Sequence, residues 1–157
     1  MKNELKQELT RRLCECNNGG LVLVMYDIYF GFSEDVKAAL ASNDRVALKK
    51  AVADVQAALD ELIGALDFKY PLAGQLYPLY SYCKRLFSTV LYSLDVSVVN
   101  EADSIMKKLR ISFETAAADD KSAPLMDNAQ KVYAGMTYGR GRLTESFIND
   151  DNRGFLA

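Results

Sequence analysis

The chain has 157 residues, half of them hydrophobic, and a formal net charge of −2. This length fits a single domain with enough apolar residues to bury a core. The slightly acidic balance argues against a nucleic-acid binder, because such proteins usually carry a basic surface that displaces counterions from phosphates. No stretch approaches the run of about 18 apolar residues that spans a membrane, and residues 1–12 hold no hydrophobic signal core. We therefore expect a cytoplasmic protein without membrane insertion.

The first predicted helix covers residues 2–16, in which Leu5, Leu9 and Leu13 recur every fourth position and form one narrow apolar stripe. Residues 17–20 read Asn-Asn-Gly-Gly, and both residue types tolerate left-handed backbone angles. The sequence therefore predicts that the first helix stops here and that the chain changes direction before the next helix.

Two longer helices are predicted next, over residues 21–42 and 45–66. Asp44 precedes the second of them, and its carboxylate can accept hydrogen bonds from the first free backbone N–H groups, so we expect it to be the N-cap. Each helix has an apolar face at i, i+3, i+4 spacing. In the 21–42 helix this face consists of Leu21, Val24, Met25, Ile28, Phe32, Val36 and Leu40. In the 45–66 helix it consists of Leu48, Val52, Val55, Leu59, Leu62 and Leu66.

The most apolar segment of the chain runs from residue 72 to residue 94. It follows Pro71, which suits the first turn of a helix. Pro78 interrupts it, because proline cannot donate a backbone hydrogen bond inside a helix. We therefore expect a separate turn before Pro78 and regular helix over residues 76–94. A further helix is predicted over residues 98–118.

These long amphipathic helices with short connections predict an all-α fold, an antiparallel up-and-down four-helix bundle over about residues 18–118. An extra N-terminal helix precedes the bundle. A short C-terminal helical segment is predicted from an apolar stripe of Leu125, Met126, Val132, Tyr133 and Met136. We expect a single helical domain, residues 1–157, in which residues 119–157 form a partly flexible tail. The 21–42 and 72–94 helices are more apolar than a self-contained bundle requires, so part of their surface should meet a further element or partner.

The chemistry available to the chain is limited, since it holds no histidine. This excludes Ser-His-Asp and Cys-His catalysis and histidine metal ligands. A zinc site needs about four ligands, but Cys14 and Cys16 are joined by only one other thiol, Cys83. An odd number of cysteines fits reduced thiols better than a disulfide framework, and we expect Cys83 to act as a small core hydrophobe. We predict no enzymatic activity, no metal and no cofactor.

The tyrosines carry more information about a binding site. Tyr80 and Tyr82 lie two positions apart, so a helix cannot bury both against one neighbour. Either one packs in the core while the other stays half-exposed with its hydroxyl in water, or both line a groove for an apolar helix or peptide. The nearby Tyr26 and Tyr77 and the excess apolar surface favour the groove. The predicted partner-binding residues are Tyr26, Leu79, Tyr80, Tyr82, Leu86 and Phe87.

Three short motifs follow one another along these helices. They are Leu-Val-Leu-Val-Met-Tyr-Asp at residues 21–27, Ala-Leu-Asp-Phe at residues 65–68 and Leu-Tyr-Pro-Leu-Tyr-Ser-Tyr at residues 76–82. Over about residues 18–113 the chain resembles the FliS-type flagellin export chaperones, in which Leu-Tyr-Asp-like, Ser-Leu-Asp-Phe-like and Leu-x-x-Leu-Tyr-x-Tyr-like motifs occur in this order. Phe113 stands where members of that family often have tryptophan.

The resemblance implies a four-helix bundle whose apolar surface grooves bind the disordered C-terminal region of flagellin, which becomes helical when bound. It also implies that the chaperone prevents premature polymerisation of flagellin and delivers it to the flagellar type III export gate. From the residues alone, a dimerising helical adaptor for another secreted client stays open, and with it a possible homodimer. The segment of residues 125–136 either covers the client groove when flagellin is absent or forms a permanent fifth helix of the fold.

Overall fold

A computed structural model describes residues 3–125 of the chain, and these residues form five α-helices with no strand. The helices are α1 (Asn3–Glu15), α2 (Asn18–Ala41), α3 (Arg45–Gly64), α4 (Pro71–Ser93) and α5 (Val96–Ala118). The predicted all-α fold class is confirmed. No helix in this part of the chain is both long and apolar enough to cross a membrane.

The helices α2 to α5 form a four-membered ring in which each helix contacts two neighbours. Among the described residues, α2 lies against α3 and α5, α4 lies against the same two helices, and α1 packs on α2 alone. Helices α3 and α4 run in opposite directions. Gln56 of α3 bonds Ser88 of α4, whereas Asp60, which lies further along α3, bonds Lys84, which lies earlier along α4. Together these contacts define the predicted antiparallel up-and-down bundle.

The core at the centre of this ring is built from side chains of all four helices. Most of the predicted apolar face of α3 lies within it, since Val55 and Leu59 have no exposed surface and Leu48, Val52 and Leu62 are at most 3% exposed. Leu66, the last residue of that face, lies beyond the end of α3 and is partly buried. Each fully buried aliphatic side chain contributes about 1.5–3 kcal/mol relative to exposure. The largest fully buried side chains are Tyr26, Tyr29, Tyr80, Phe87, Leu59 and Met106. Cys83 also lies in this core, as expected from the sequence.

The break predicted at residues 17–20 lies earlier than expected. Asn17 is the N-cap of α2, and its side chain accepts a hydrogen bond from the backbone N–H of Gly20 at 2.9 Å. The glycines therefore belong to the first turn of α2. A Cβ on Gly19 would lie 3.0 Å from Cβ of Ala117, and one on Gly20 would lie 2.9 Å from Cβ of Cys16. These positions hold glycine because neighbouring segments approach closely. The first helix does stop here, since α1 ends at Glu15 and α2 begins at Asn18, but the glycines lie in α2 and not in the break.

The separate turn predicted before Pro78 is also wrong, because α4 runs without interruption from Pro71 to Ser93. Pro71 occupies the first helical turn, where its missing N–H is not needed. Pro78 lies inside the helix and leaves the carbonyl of Gly74 without its usual partner. Both Gly74 and Pro78 are exposed, so water can bond that carbonyl. The helix thus tolerates its proline on the solvent side.

The connection between α1 and α2 is tied to the chain that follows α5. Gly19 donates its backbone N–H to the carboxylate of Asp120 at 3.0 Å, and the side-chain amide of Asn17 donates to the Asp120 carbonyl at 3.1 Å. Leu125 donates its N–H to the carbonyl of Cys16 at 2.9 Å. Residues 119–125 are therefore anchored on the N-terminus of α2. The remainder of the predicted C-terminal helical segment and tail lies outside the described residues.

Candidate partner-binding site

Tyr26 and Tyr80, two of the predicted partner-binding residues, lie in the core. Tyr26 has no exposed surface and Tyr80 has 1%. Their hydroxyls share a hydrogen bond of 2.7 Å, and the ring of Tyr26 also contacts Phe113 at a centroid distance of 5.6 Å. Burial raises the pKa of both phenols above the ordinary value, so they stay neutral. Both side chains are thus buried in the unbound chain, and contact between them and a partner stays a prediction.

Tyr26 is buried because α2 packs against several neighbouring helices. Tyr26, Tyr29, Ser33 and Val36 repeat at helical spacing and face the bundle axis. The apolar face predicted for α2 matches this buried face only in part. Most residues of the predicted face lie between helices and are half-buried. A helix that packs against several neighbours is apolar on most sides, so the periodicity of its sequence does not single out the innermost face.

The other four predicted residues occupy different environments. Phe87 is fully buried and meets Tyr29 edge-on at 5.9 Å, while Leu86 is partly buried against the core. Phe87 is therefore a core residue in the unbound chain, and its contact with a partner stays a prediction. Leu79 is 37% exposed. Tyr82 is partly buried and donates its hydroxyl to Glu101 at 2.5 Å, which raises its pKa. Tyr80 thus packs in the core and Tyr82 does not, and partner contact by Leu79, Tyr82 and Leu86 stays a prediction.

The surface of the bundle carries three adjoining apolar depressions near the N-terminus of α2. The α2–α3 groove, of about 550 Å³, is lined by Leu21, Met25, Ile28, Ala58, Glu61, Gly64 and Ala65. The end groove, of about 280 Å³, is lined by Val22, Met25, Leu62, Ala65, Leu66, Asp67, Tyr70, Leu72, Ala73, Leu76, Tyr80 and Phe113. The α4–α5 groove, also of about 280 Å³, is lined by Leu72, Gln75, Leu76, Leu79, Leu109, Ser112, Phe113 and Ala116.

These grooves form one continuous surface, called the apolar band below. Met25 and Ala65 line both the α2–α3 groove and the end groove. Leu72, Leu76 and Phe113 line both the end groove and the α4–α5 groove. Contiguous exposed apolar surface of this kind marks sites where proteins bind other chains.

The rim of the apolar band is built by the connection between α3 and α4. Asp67 shapes this connection, because its carboxylate accepts a hydrogen bond from the N–H of Lys69 at 3.0 Å and its carbonyl accepts one from Tyr70. The turn displays Tyr70, which is 67% exposed. Beside it, the exposed rings of Phe68 and Tyr77 meet edge-on at 5.9 Å. Exposed aromatic side chains next to an apolar groove supply large contact area to a bound chain.

Sequence reasoning missed most residues of the apolar band. It identified Leu79 and Tyr80, but not Met25, Leu72 or Tyr70. The available signal was the aromatic connection at residues 68–70, since a short loop between two helices has little room to bury aromatic rings.

Two ionic clusters join helices of the bundle. Asp27 accepts hydrogen bonds from Arg12 of α1 at 2.7 Å and from Arg110 of α5 at 2.8 Å. Its carboxylate raises the pKa of Arg110. This pair of contacts joins three helices through the aspartate that follows Tyr26 in the first motif, so the motif has a structural role in this fold.

The second ionic cluster is buried and centres on Asp103, which is 3% exposed. Its carboxylate accepts hydrogen bonds from the hydroxyl of Tyr29 at 3.1 Å and from that of Ser33 at 2.8 Å. Nζ of Lys37 lies 2.7 Å from its other oxygen. Burial, followed by the charge of Asp103, raises the pKa of Tyr29. Within residues 3–125 no buried side-chain nitrogen or oxygen lacks a partner.

The described residues offer little for metal or thiol chemistry. No group of three or more cysteine, aspartate, glutamate or histidine side chains among them could hold a metal ion. Cys14 and Cys83 are buried free thiols. Burial raises the pKa of Cys83 to about 12, which keeps it from forming the thiolate that nucleophilic or metal-binding chemistry requires.

A helical bundle with a continuous apolar surface at one end defines a protein-binding bundle, a class that recognises other chains by apolar contact. The chain matches the family described as Flagellar protein FliS over residues 1–120. It belongs to the FliS family, which confirms the resemblance carried by the three motifs and implies a role as a flagellin export chaperone. A comparison with curated proteins gave no match.

Proposed function

We propose that this protein is a cytoplasmic export chaperone that binds the C-terminal region of flagellin through the apolar band. In doing so it prevents premature polymerisation of flagellin and delivers it to the flagellar type III export gate. The observation that carries this proposal is the continuity of the apolar band over three grooves in a chain of the FliS family.

The α2–α3 and α4–α5 grooves each lie between two helices, which suits a client that folds as a helix on the surface. A helix with its side chains is about 10–12 Å across, and an amphipathic helix buries its apolar face in a groove between two helices. Glu61 and Asp67 are the only charged residues lining the three grooves. Burial of the client's apolar face then offsets the entropy lost when a disordered segment becomes ordered.

The proposal is tested by comparing two double variants of the full chain. Leu72→Gln with Leu79→Gln changes two exposed side chains of the apolar band. Ile111→Gln with Tyr92→Gln changes two exposed apolar side chains that line none of the three grooves. Isothermal titration with a flagellin C-terminal peptide should show affinity reduced about tenfold or more for the first variant. The second variant should bind like the unmodified protein, and circular dichroism should show both folded.

The same exposed band also supports a second function, a homodimerising adaptor for another secreted client. Exposed apolar surface of this extent can be covered by a second copy in an isologous dimer. Sedimentation of the unmodified chain separates the two functions. A stable dimer that is broken by the Leu72 and Leu79 changes, together with no binding of the flagellin peptide, would favour the adaptor and contradict the chaperone.

A further inference from the structure

One carboxylate in the α2–α3 groove has no partner in the part of the chain that the structure describes. Glu61 lines this groove among apolar and small side chains, and its carboxylate makes no hydrogen bond or ion pair within residues 3–125. Its neighbour Asp60 differs, because it is paired with Lys84 at 2.6 Å. Among the described residues, no lysine or arginine lines any of the three grooves. The apolar surface around Glu61 therefore carries a negative charge that these residues do not neutralise.

The position of Glu61 within α3 adds to this negative charge. Glu61 lies in the last turn of α3, where its backbone carbonyl accepts the N–H of Ala65, the C-cap, at 3.0 Å. Helix C-termini carry a partial negative charge, so a carboxylate there is unfavourable for the helix and a cation is favourable. The last turn of α3 holds no basic residue. The fold gains nothing from this carboxylate, and a cation supplied by another chain would meet both the carboxylate and the helix end.

The surroundings of Glu61 leave room for a long side chain from another chain. Residues three or four positions from Glu61 share its face of α3, and here they are Ala58, Gly64 and Ala65, which all line the groove. A Cβ on Gly64 would meet no heavy atom within 4 Å, so the space beside the carboxylate is open. The α2 side of the groove is apolar. The groove therefore combines an apolar wall with a single accessible carboxylate.

We propose that the α2–α3 groove binds an amphipathic helix that carries a lysine or arginine beside its apolar face, and that Glu61 selects this helix by pairing with the cation. As a statement about the client, this inference rests on the proposed function, since the helix is then a segment of flagellin. The α4–α5 groove has no charged residue, and its polar side chains are those of Gln75 and Ser112. Glu61 therefore distinguishes the two grooves and determines which of them a cationic client helix enters.

The first test measures the preference of the groove with designed peptides in place of flagellin. Three amphipathic helical peptides of leucine, alanine and glutamine, about five turns long, differ only in having a lysine, a glutamine or a glutamate beside the apolar face. Isothermal titration into the full chain should give the lysine peptide an affinity about three- to fivefold above that of the glutamine peptide, the range expected of an exposed ion pair. The glutamate peptide should bind most weakly. Equal affinities for the three peptides overturn the proposal.

The second test removes the carboxylate. Glu61→Gln should abolish the difference between the lysine and glutamine peptides, and Glu61→Lys should favour the glutamate peptide. The matched control is Glu4→Gln, which removes the same charge from an exposed residue that lines none of the three grooves and should keep the preference. A preference that persists in Glu61→Gln, or that is lost equally in Glu4→Gln, overturns the proposal, because the charge then acts from elsewhere or through the net charge alone.

Two further measurements separate contact with a partner from a structural role. With ¹³C-labelled methionine methyl groups, the lysine peptide should shift the resonance of Met25, which lines the groove, and leave that of the fully buried Met106 in place. A Met25 resonance that ignores the peptide overturns the proposal. The thermal midpoint of Glu61→Gln should equal or exceed that of the unmodified chain, because a carboxylate at a helix C-terminus is unfavourable. A lowered midpoint would mean that the carboxylate stabilises the fold, contrary to the proposal.

The assignment to the client is tested with the flagellin C-terminal peptide, in which each lysine and arginine is replaced in turn by glutamine. One replacement should weaken binding to the full chain about three- to fivefold and have no further effect on binding to Glu61→Gln, a coupling that a double-mutant cycle measures. Additive losses at every position overturn the assignment. Absence of flagellin binding in every chain would contradict the proposed function, while the designed peptides would still decide the preference of the groove.

Discussion

The two halves of the bundle bury different kinds of polar side chain in their cores. In the half around Asp103, a buried carboxylate is bonded by two hydroxyls and one ammonium. In the half around Tyr26 and Tyr80, the polar atoms are two phenols bonded to each other, and the surface outside them is the apolar band. One half has a polar network in its core, and the other has apolar grooves on its surface.

This difference indicates which half of the fold can bind another chain. Buried charges need fixed partners, so the half around Asp103 is held in one register by its ion pair and hydrogen bonds. The half around Tyr26 has a core whose polar groups are neutral and bond each other, and its ion pairs, from Asp27 to Arg12 and Arg110, lie nearer the surface. Its outer side chains are therefore available to contact another chain, whereas the polar half secures the alignment of α2 and α5.

The largest expected effect breaks the polar half. Asp103→Ala removes the acceptor of Tyr29 and Ser33 and the partner of Lys37, and should lower the free energy of unfolding by about 2–4 kcal/mol. Asp60→Ala is the matched control, because Asp60 pairs with Lys84 at the surface and such pairs contribute less than about 1 kcal/mol. Urea denaturation measures both. Equal losses of the free energy of unfolding would show that the buried network stabilises the fold no more than the surface ion pair does.

A smaller effect is expected from the apolar half, where the two phenols can be removed together. Tyr26→Phe or Tyr80→Phe alone leaves the other hydroxyl buried without its partner and should cost about 1–3 kcal/mol. The double variant removes both polar atoms and should cost much less than the sum of the single changes, giving a clear coupling energy in a double-mutant cycle. Additive losses would mean that the 2.7 Å contact does not couple the two residues.

The third comparison uses two glycines at the apolar end. Gly19→Ala brings a methyl group to 3.0 Å from Cβ of Ala117 and 3.1 Å from the Asp120 carboxylate, and should cost about 1 kcal/mol through crowding. Gly64→Ala meets open space and should stabilise the protein by about 0.5–1 kcal/mol, because alanine loses less backbone entropy than glycine in a helix. Thermal unfolding checks both signs, and a stabilising Gly19→Ala would contradict the close approach.

The sequence predicts the fold best where a helix buries a single apolar face. The α3 face from Leu48 to Leu62 is buried as predicted, and Asp44 caps the helix by accepting the N–H groups of Val46 and Ala47 at 3.0 Å each. Such features are local, since helical period and cap chemistry act within a few residues.

The remaining features depend on contacts between distant residues. Position 19 holds glycine because Ala117 approaches it closely, and no local rule gives that distance. Tyr26 faces the core because α2 has neighbours on several sides, so its apolar pattern fits more than one rotation. The candidate site is less predictable than the fold for the same reason. Membership of the apolar band depends on which apolar side chains are left uncovered after the helices assemble, and Leu79 and Leu86 have the same residue type but different exposure.

The smallest expected effect concerns the anchor of residues 119–125 on the α2 N-terminus. Hydrogen bonds from Ser122, and then from the backbone of Gly19, lower the pKa of Asp120. A carboxylate with a lowered folded pKa stabilises the folded state above its unfolded pKa of about 3.9, and this contribution is lost as the pH falls through the folded pKa. The protection factor of the Gly19 amide should therefore fall as the pH drops from about 4 through this lowered pKa.

Asp120→Asn serves as the control for this anchor, because asparagine keeps the shape of the side chain and does not titrate in this range. The Gly19 amide of that variant should show no such dependence on acid beyond the intrinsic change in exchange rate. If both chains lose protection of Gly19 at the same pH, then the charge of Asp120 does not hold the segment. The anchor would then depend on the hydrogen bonds of Asn17 and Leu125, which no carboxyl titration affects.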